Sequence, residues 1–218
     1  MTRWLPGCVL ALLVVACANT PPVPDWQMNA KGALERAHEA YLSGNNRVEA
    51  AEFARARSEV ARSGRPDLLA RLELSRCATR VASLVIEPCT AWAELDPDAA
   101  APERAYAAYL AGQVLPRQVA QLPQQHRALA LPGATVPVAA LQAVADPLAR
   151  LVAAGVLLQT GRADPGVIRL AIDTASAQGW RRPLLAWLGV QALRADAAGD
   201  SADAQRIRRR MALVSEGR

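Results

Sequence analysis

A ten-residue segment occurs twice in this chain, and its recurrence narrows the folds open to it. Glu35-Arg36-Ala37-His38-Glu39-Ala40-Tyr41-Leu42-Ser43-Gly44 returns as Glu103-Arg104-Ala105-Tyr106-Ala107-Ala108-Tyr109-Leu110-Ala111-Gly112, with seven of ten positions identical at an offset of 68. Leu34, Ala37, Tyr41 and Leu42 give the first copy a helical face. Glycines also fall in pairs, Gly44/Gly64, Gly112/Gly133, Gly161/Gly179 and Gly199/Gly217, each 18–21 residues apart. That spacing suits one helix plus its turn. The two regularities together predict four helical hairpins, with the first glycine of each pair between the helices and the second after them.

The composition agrees with an all-α chain. Aromatic residues make up 4% of it and Ala is abundant, which favours closely packed helices. Strand-like alternation is confined to a weak run from Val81 to Ile86. Helices are expected from Lys31 to Leu42, from Val48 to Val60, from Pro66 to about Ala82, and from Ala101-Pro102-Glu103 to Leu110. Asp96-Pro97, Asp146-Pro147, Asp164-Pro165 and Arg182-Pro183 read as helix starts, because proline in the first turn loses no hydrogen bond. Pro123, Pro132 and Pro137 mark the stretch from Gln121 to Pro137 as an irregular connection, which divides the domain at 28–218 into candidate lobes at 28–131 and 137–218.

A period of 34, half the observed offset, is that of the tetratricopeptide repeat. Two places resemble it in detail: Tyr41 followed by Asn45-Asn46 and Ala50, and Leu188-Gly189-x-x-Ala192 followed by Gly199-Asp200 and Ala204. The resemblance covers about half of the chain after the leader, and residues 69–100 depart from the pattern. It implies stacked antiparallel hairpins in an α-solenoid. An irregular Ala-rich helical bundle is the alternative.

The N-terminus carries an address. Arg3 is followed by an apolar run from Trp4 to Ala16, too short to cross a bilayer comfortably, and residues 1–16 read as a secretory signal. Val14-Val15-Ala16-Cys17 resembles the lipobox of bacterial lipoproteins. The resemblance implies diacylation of Cys17, which becomes the first mature residue, and a membrane tether. Residues 17–27, rich in proline, then form a leash. Ala16-Cys17-Ala18 also fits a small-x-small cleavage site that would release a periplasmic protein. Ala18 and Asn19 supply no Asp after Cys17, so the expectation is the bacterial envelope, facing the periplasm, at the outer membrane rather than the inner.

Cys8 belongs to the leader and Cys17 to the lipid site, which leaves Cys77 and Cys89. In an oxidising compartment this pair reads as a disulfide. Bridged Cα atoms must lie within about 7 Å. A helix unbroken to Ile86 would leave Cys77 roughly 13 Å away along the axis. The bridge therefore requires the helix to end near Ala82, with Ser83 to Pro88 folding back.

The formal net charge is +5, and Lys31 is the only lysine. Arginines interleave with Asp and Glu along the helices, a solvated pattern without the basic stripe and aromatics of a nucleic-acid interface. Arg206, Arg208, Arg209 and Arg210 form the sharpest cluster. They suit the end of the last helix, and their functional reading is contact with an anionic surface. No nucleophile elbow, Walker loop, dinucleotide fingerprint or His-Glu-x-x-His is present, so no catalytic residue, cofactor, metal or small-molecule substrate is assigned. His38 reads as a partly buried, hydrogen-bonded imidazole and His126 as solvated; a shared metal site would need the fold to join them with a third ligand. Glu87, Glu94, Asp96, Asp98 and Glu103 read as helix-start charge and solvated loop. The resemblance to tetratricopeptide-like lipoproteins of envelope and pilus assembly implies a non-catalytic, membrane-tethered scaffold that binds a protein or peptide, with Tyr41 and Tyr109 either packing wedges or groove anchors. The alternative is an envelope enzyme or cell-wall binder using residues 87–103.

Overall fold

The computed structural model describes residues 22–131, 133 and 136–216. Cys17, the leader and Gly217 lie outside them. The described residues are all-α and contain no strand. In chain order the helices are α1 (Asp25–Ser43), α2 (Asn46–Ala61), α3 (Pro66–Ala82), α4 (Thr90–Ala93), α5 (Ala101–Leu110), α6 (Gln124–Arg127), α7 (Val138–Gln142), α8 (Pro147–Gln159), α9 (Pro165–Ala177), α10 (Arg181–Ala197) and α11 (Ser201–Glu216). Short 3₁₀ turns occupy Asp96–Asp98 and Pro116–Gln121. No helix among the described residues is long and apolar enough to cross a membrane.

The helix starts follow local chemistry. Asp146 and Asp164 accept the backbone N–H of Ala149 (2.6 Å) and Val167 (2.8 Å), each with proline at the first helical position. Asn45 caps α2 by accepting the N–H of Val48 at 3.1 Å. Asp96-Pro97 starts only a 3₁₀ turn, without a side-chain cap. α1 begins at Asp25 rather than Lys31, behind Pro24 and with Asp25 complementing its positive end.

The two copies of the segment end in similar turns. Gly44 (φ +92°) and Gly112 (φ +70°) both adopt the left-handed conformation. At the first, the Gly44 N–H bonds Tyr41 O and the Asn45 N–H bonds Ala40 O; at the second, Gly112 bonds Tyr109 O and Gln113 bonds Ala108 O. This double closure ends the helix by satisfying carbonyls that have no partner within it. α8, α9 and α10 end in the same way at Gly161, Gly179 and Gly199. α3 uses Leu84 instead, at φ +59°, with Val85 bonding back to Arg80 O.

Beyond the two glycines the copies diverge. Gly44 leads into the antiparallel α2, whereas Gly112 leads into the 3₁₀ turn and the one-turn α6. Among the described residues three of the four expected hairpins are present, α1/α2, α8/α9 and α10/α11. Contacts also reach beyond neighbours in sequence. The start of α10 docks on the end of α1: Trp180 Nε1 donates to Glu39 Oε2 (2.9 Å), Arg181 to Ser43 O (2.9 Å) and Arg182 to Tyr41 O (2.6 Å). One apolar cluster runs from Tyr41 to Ile207 and draws on both sides of the 121–137 connection; a smaller one joins Ala33, Ala37, Phe53, Ala56 and Leu72.

α3 and α8 cross at Gly155. A Cβ there would lie 2.4 Å from Val81 O and 3.0 Å from Val81 Cγ1. Because the nearer atom is backbone, the two helices would have to separate. Gly155→Ala is expected to lower stability by about 2 kcal/mol despite the better helix propensity of Ala, measured by chemical denaturation. A variant as stable as the parent would show that the crossing relaxes freely.

Candidate ligand groove

Arginine–glutamate pairs set the spacing of the first helices. Arg36 bonds Glu52 between α1 and α2, Arg57 bonds Glu73 and Arg76 bonds Glu49 between α2 and α3, and Arg71 bonds Glu103 between α3 and α5. Glu49, Glu73 and Glu103 are buried, so each gains charge-assisted hydrogen bonds in a weakly screened setting. Glu103 is thus corrected from solvated loop charge to a buried carboxylate. Glu87, Glu94, Asp96 and Asp98 are exposed, as expected.

Between α1, α3, α5, α8 and the segment around α6 lies a cavity of about 560 Å³. His38, Arg71, Glu103, Tyr106, His126 and Asp146 supply its polar wall; Leu74, Ala78, Leu148 and Val152 supply the apolar one. A second cleft, also about 560 Å³, opens beside the start of α1. Its wall is largely apolar, with Trp26, Ala30, Leu34, Val60, Leu68 and Leu72. Arg71 and Ser75 line both. On α1, Trp26, Ala30, Leu34 and His38 recur every fourth position along one face of the helix, and Gln27 and Lys31 flank them at the second cleft. The two spaces therefore lie side by side along α1 and α3, one largely apolar and one polar, with Arg71 and Ser75 between them.

Both histidines meet at the polar space. His126 is 2% exposed, not solvated. Its Nδ1 lies 3.3 Å from Tyr109 Oη, and its ring centroid is 4.9 Å from that of Tyr109 and 5.8 Å from that of Tyr106. Leu122 and Leu129, one on each side of α6, are buried with it, which carries the imidazole inward. His38 is half-buried, but its Nε2 has no hydrogen-bond partner. Among the described residues no group of three His, Cys, Asp or Glu could hold a metal.

Tyr41 and Tyr109 are 6% and 1% exposed. Tyr41 is clasped by the guanidinium groups of Arg182 and Arg80, 4.3 and 5.1 Å from its ring. Both tyrosines are buried in the core, the packing-wedge alternative of the two expected. The tyrosine on the wall of the polar space is Tyr106, which occupies the same place in the second copy of the segment as His38 in the first. That chemical difference between otherwise matching copies was the signal available in the sequence. Arg206 and Arg208 pair with Asp203 and Asp196, and Arg210 reaches Ser176 Oγ. All four arginines of the cluster are exposed on α11.

Burial shifts the imidazoles. Desolvation lowers His126 from 6.5 to about 4, against an opposing pull from Asp146. His38 is also lowered, chiefly by desolvation, against Glu49, Asp146 and Glu35. The unfolded chain binds a proton near the ordinary value, and the folded chain does so only at lower pH. For His126 the contribution is complete above about pH 6.5 and is lost as pH falls toward about 4, at roughly 1.4 kcal/mol per pH unit. His126→Gln is expected to flatten the stability curve over that window, read by urea denaturation at pH 7, 6 and 5. Parallel curves for the two proteins would show that His126 does not set the dependence.

The chain matches no protein-family model, no curated protein and no solved structure.

Proposed function

We propose that this protein is a non-catalytic scaffold that binds a segment of another protein in the groove along α1 and α3. The observation that carries the reading is that the two spaces adjoin at Arg71 and Ser75 and both draw on α1 for their walls. A long cleft with an apolar floor and a few polar groups at one end suits a peptide side-chain series. Paired helical hairpins of tetratricopeptide-like kind are a natural frame for such a cleft. In the same proposal Cys17 carries lipid and holds the groove close to a bacterial membrane, with the outer membrane as its place. Arg206, Arg208, Arg209 and Arg210 face anionic headgroups there. Palmitate labelling of the chain, and its loss in Cys17→Ser, tests the anchor.

The groove is tested by selecting random peptides displayed on phage against the immobilised full chain and titrating the enriched ones by fluorescence anisotropy. Leu34→Asp is expected to weaken them at least tenfold, whereas Leu193→Asp, at an exposed site on α10, leaves them unchanged. Failure to enrich any peptide, or equal loss in both variants, would remove the reading.

A further inference from the structure

The polar end of the groove has a chemistry that a peptide-binding role does not by itself specify. Glu103 is 5% exposed. Arg71 donates Nε and Nη2 to its Oε1, at 3.0 and 2.7 Å, while its Oε2 is buried without a hydrogen-bond partner. An unpaired oxygen on a buried carboxylate is costly and rewards any donor that reaches it. Nε2 of His38 is buried and unpartnered as well.

Carboxylates act on the histidines and on Tyr106. The charged groups acting on His38 are Glu49, Asp146 and Glu35, and the one acting on His126 and on Tyr106 is Asp146; all are carboxylates. Both imidazoles are held low by burial and are therefore neutral at neutral pH. Both cations of the wall already have partners, Arg71 on the other oxygen of Glu103 itself. Arg71 is 67% exposed and spent on Glu103 Oε1, and Arg127 donates to Leu122 O at 2.8 Å. Tyr106 adds a half-buried aromatic face, which attracts positive charge.

We propose that this end of the groove receives a basic side chain, the ammonium of Lys or the guanidinium of Arg, from the segment that the groove binds. The proposal rests on the peptide-binding reading above and names its chemistry. The basic group donates to Glu103 Oε2, and neighbouring apolar residues of the same segment fill the cleft beside Trp26, Leu34 and Leu68. Leu34 and His38 are one helical turn apart, about 6 Å along α1. The apolar and basic residues of the segment are then about two apart if it is extended, or about four apart if it is helical.

The peptides enriched on the full chain provide the test. Lys or Arg is expected to recur at that distance from an aliphatic or aromatic residue. Replacing the lysine by acetyl-lysine in the strongest peptide should weaken binding to the unaltered protein at least tenfold. Glu103→Gln should weaken the lysine peptide similarly and leave the acetyl-lysine peptide within about twofold, a coupling that a merely structural role would not produce. The acetyl-lysine comparison stands even if Glu103→Gln fails to fold. Enriched peptides without a basic residue, with acidic ones in its place, or indifferent to acetylation would overturn this proposal and leave the groove reading intact. No enriched peptide at all would overturn both. Displacement of the peptide by n-butylamine at matching concentration would make the site one for free amines and overturn the segment-bound form.

Discussion

Trp187→Ala is expected to lower stability by about 4 kcal/mol, among the largest losses a single core substitution produces. The indole is 0% exposed. It lies in the central part of the main cluster, on α10, and its Nε1 donates to Ala82 O at 3.1 Å. That carbonyl belongs to the last residue of α3. The neighbouring carbonyls of Arg80 and Val81 are satisfied by the turn at Leu84, so Ala82 O depends on α10. Truncation removes the ring volume and also leaves a helix-end acceptor without its donor. Trp187→Phe separates the terms: most of the volume stays, the hydrogen bond goes, and the cost should fall to about 1–2 kcal/mol. For a domain of this size the alanine variant should melt about 10 °C lower by circular dichroism. A shift of only 1–2 °C would mean that α10 can leave α3 without consequence.

The residues at these contacts show which features a sequence reader can reach. Asp146-Pro147, Asp164-Pro165 and the Gly44 and Gly112 turns act through bonds to residues a few positions away, so their meaning is written locally. The contact of Trp187 with Ala82 spans 105 positions, and no local pattern encodes it. The polar end of the groove was hidden for the same reason. Glu103 stands at a helix start, where a solvated carboxylate is the ordinary case; Arg71, 32 residues earlier, makes it a buried one. His126 lies in a one-turn helix too short to show periodicity, and the segment after Gly112 broke the hairpin rule because Pro116 and Pro123 stand where a second long helix would run. The closest available hint was the exchange of His38 for Tyr106 between matching copies of one segment.

The Cys77–Cys89 bridge was legible because it makes a geometric demand on its own neighbourhood. The demand was that α3 stop near Ala82, and α3 ends at Ala82. Leu84 then takes the left-handed conformation, which turns the chain back, and the two Cα atoms lie 6.0 Å apart in a disulfide. Both cysteines pack against the main cluster. Closing a loop of this length should stabilise the fold by about 3 kcal/mol in the chain-entropy model. The Cys77→Ser, Cys89→Ser double variant should therefore melt about 9 °C lower, with each single variant close to the double, because either one abolishes the bridge. Reduction should lower the melting temperature of the unaltered protein by a similar amount and leave the double variant unmoved. The loop also contains Ala82, the acceptor for Trp187, so the two losses share a cause: once the bridge is gone, α3 can fray from its end, and Trp187→Ala should cost less in the bridgeless background than alone. Strictly additive losses would show that the bridge and the indole hold separate parts of the fold. Free thiols located at Cys77 and Cys89 by alkylation and peptide mapping of the unreduced, denatured chain would show that the bridge does not form.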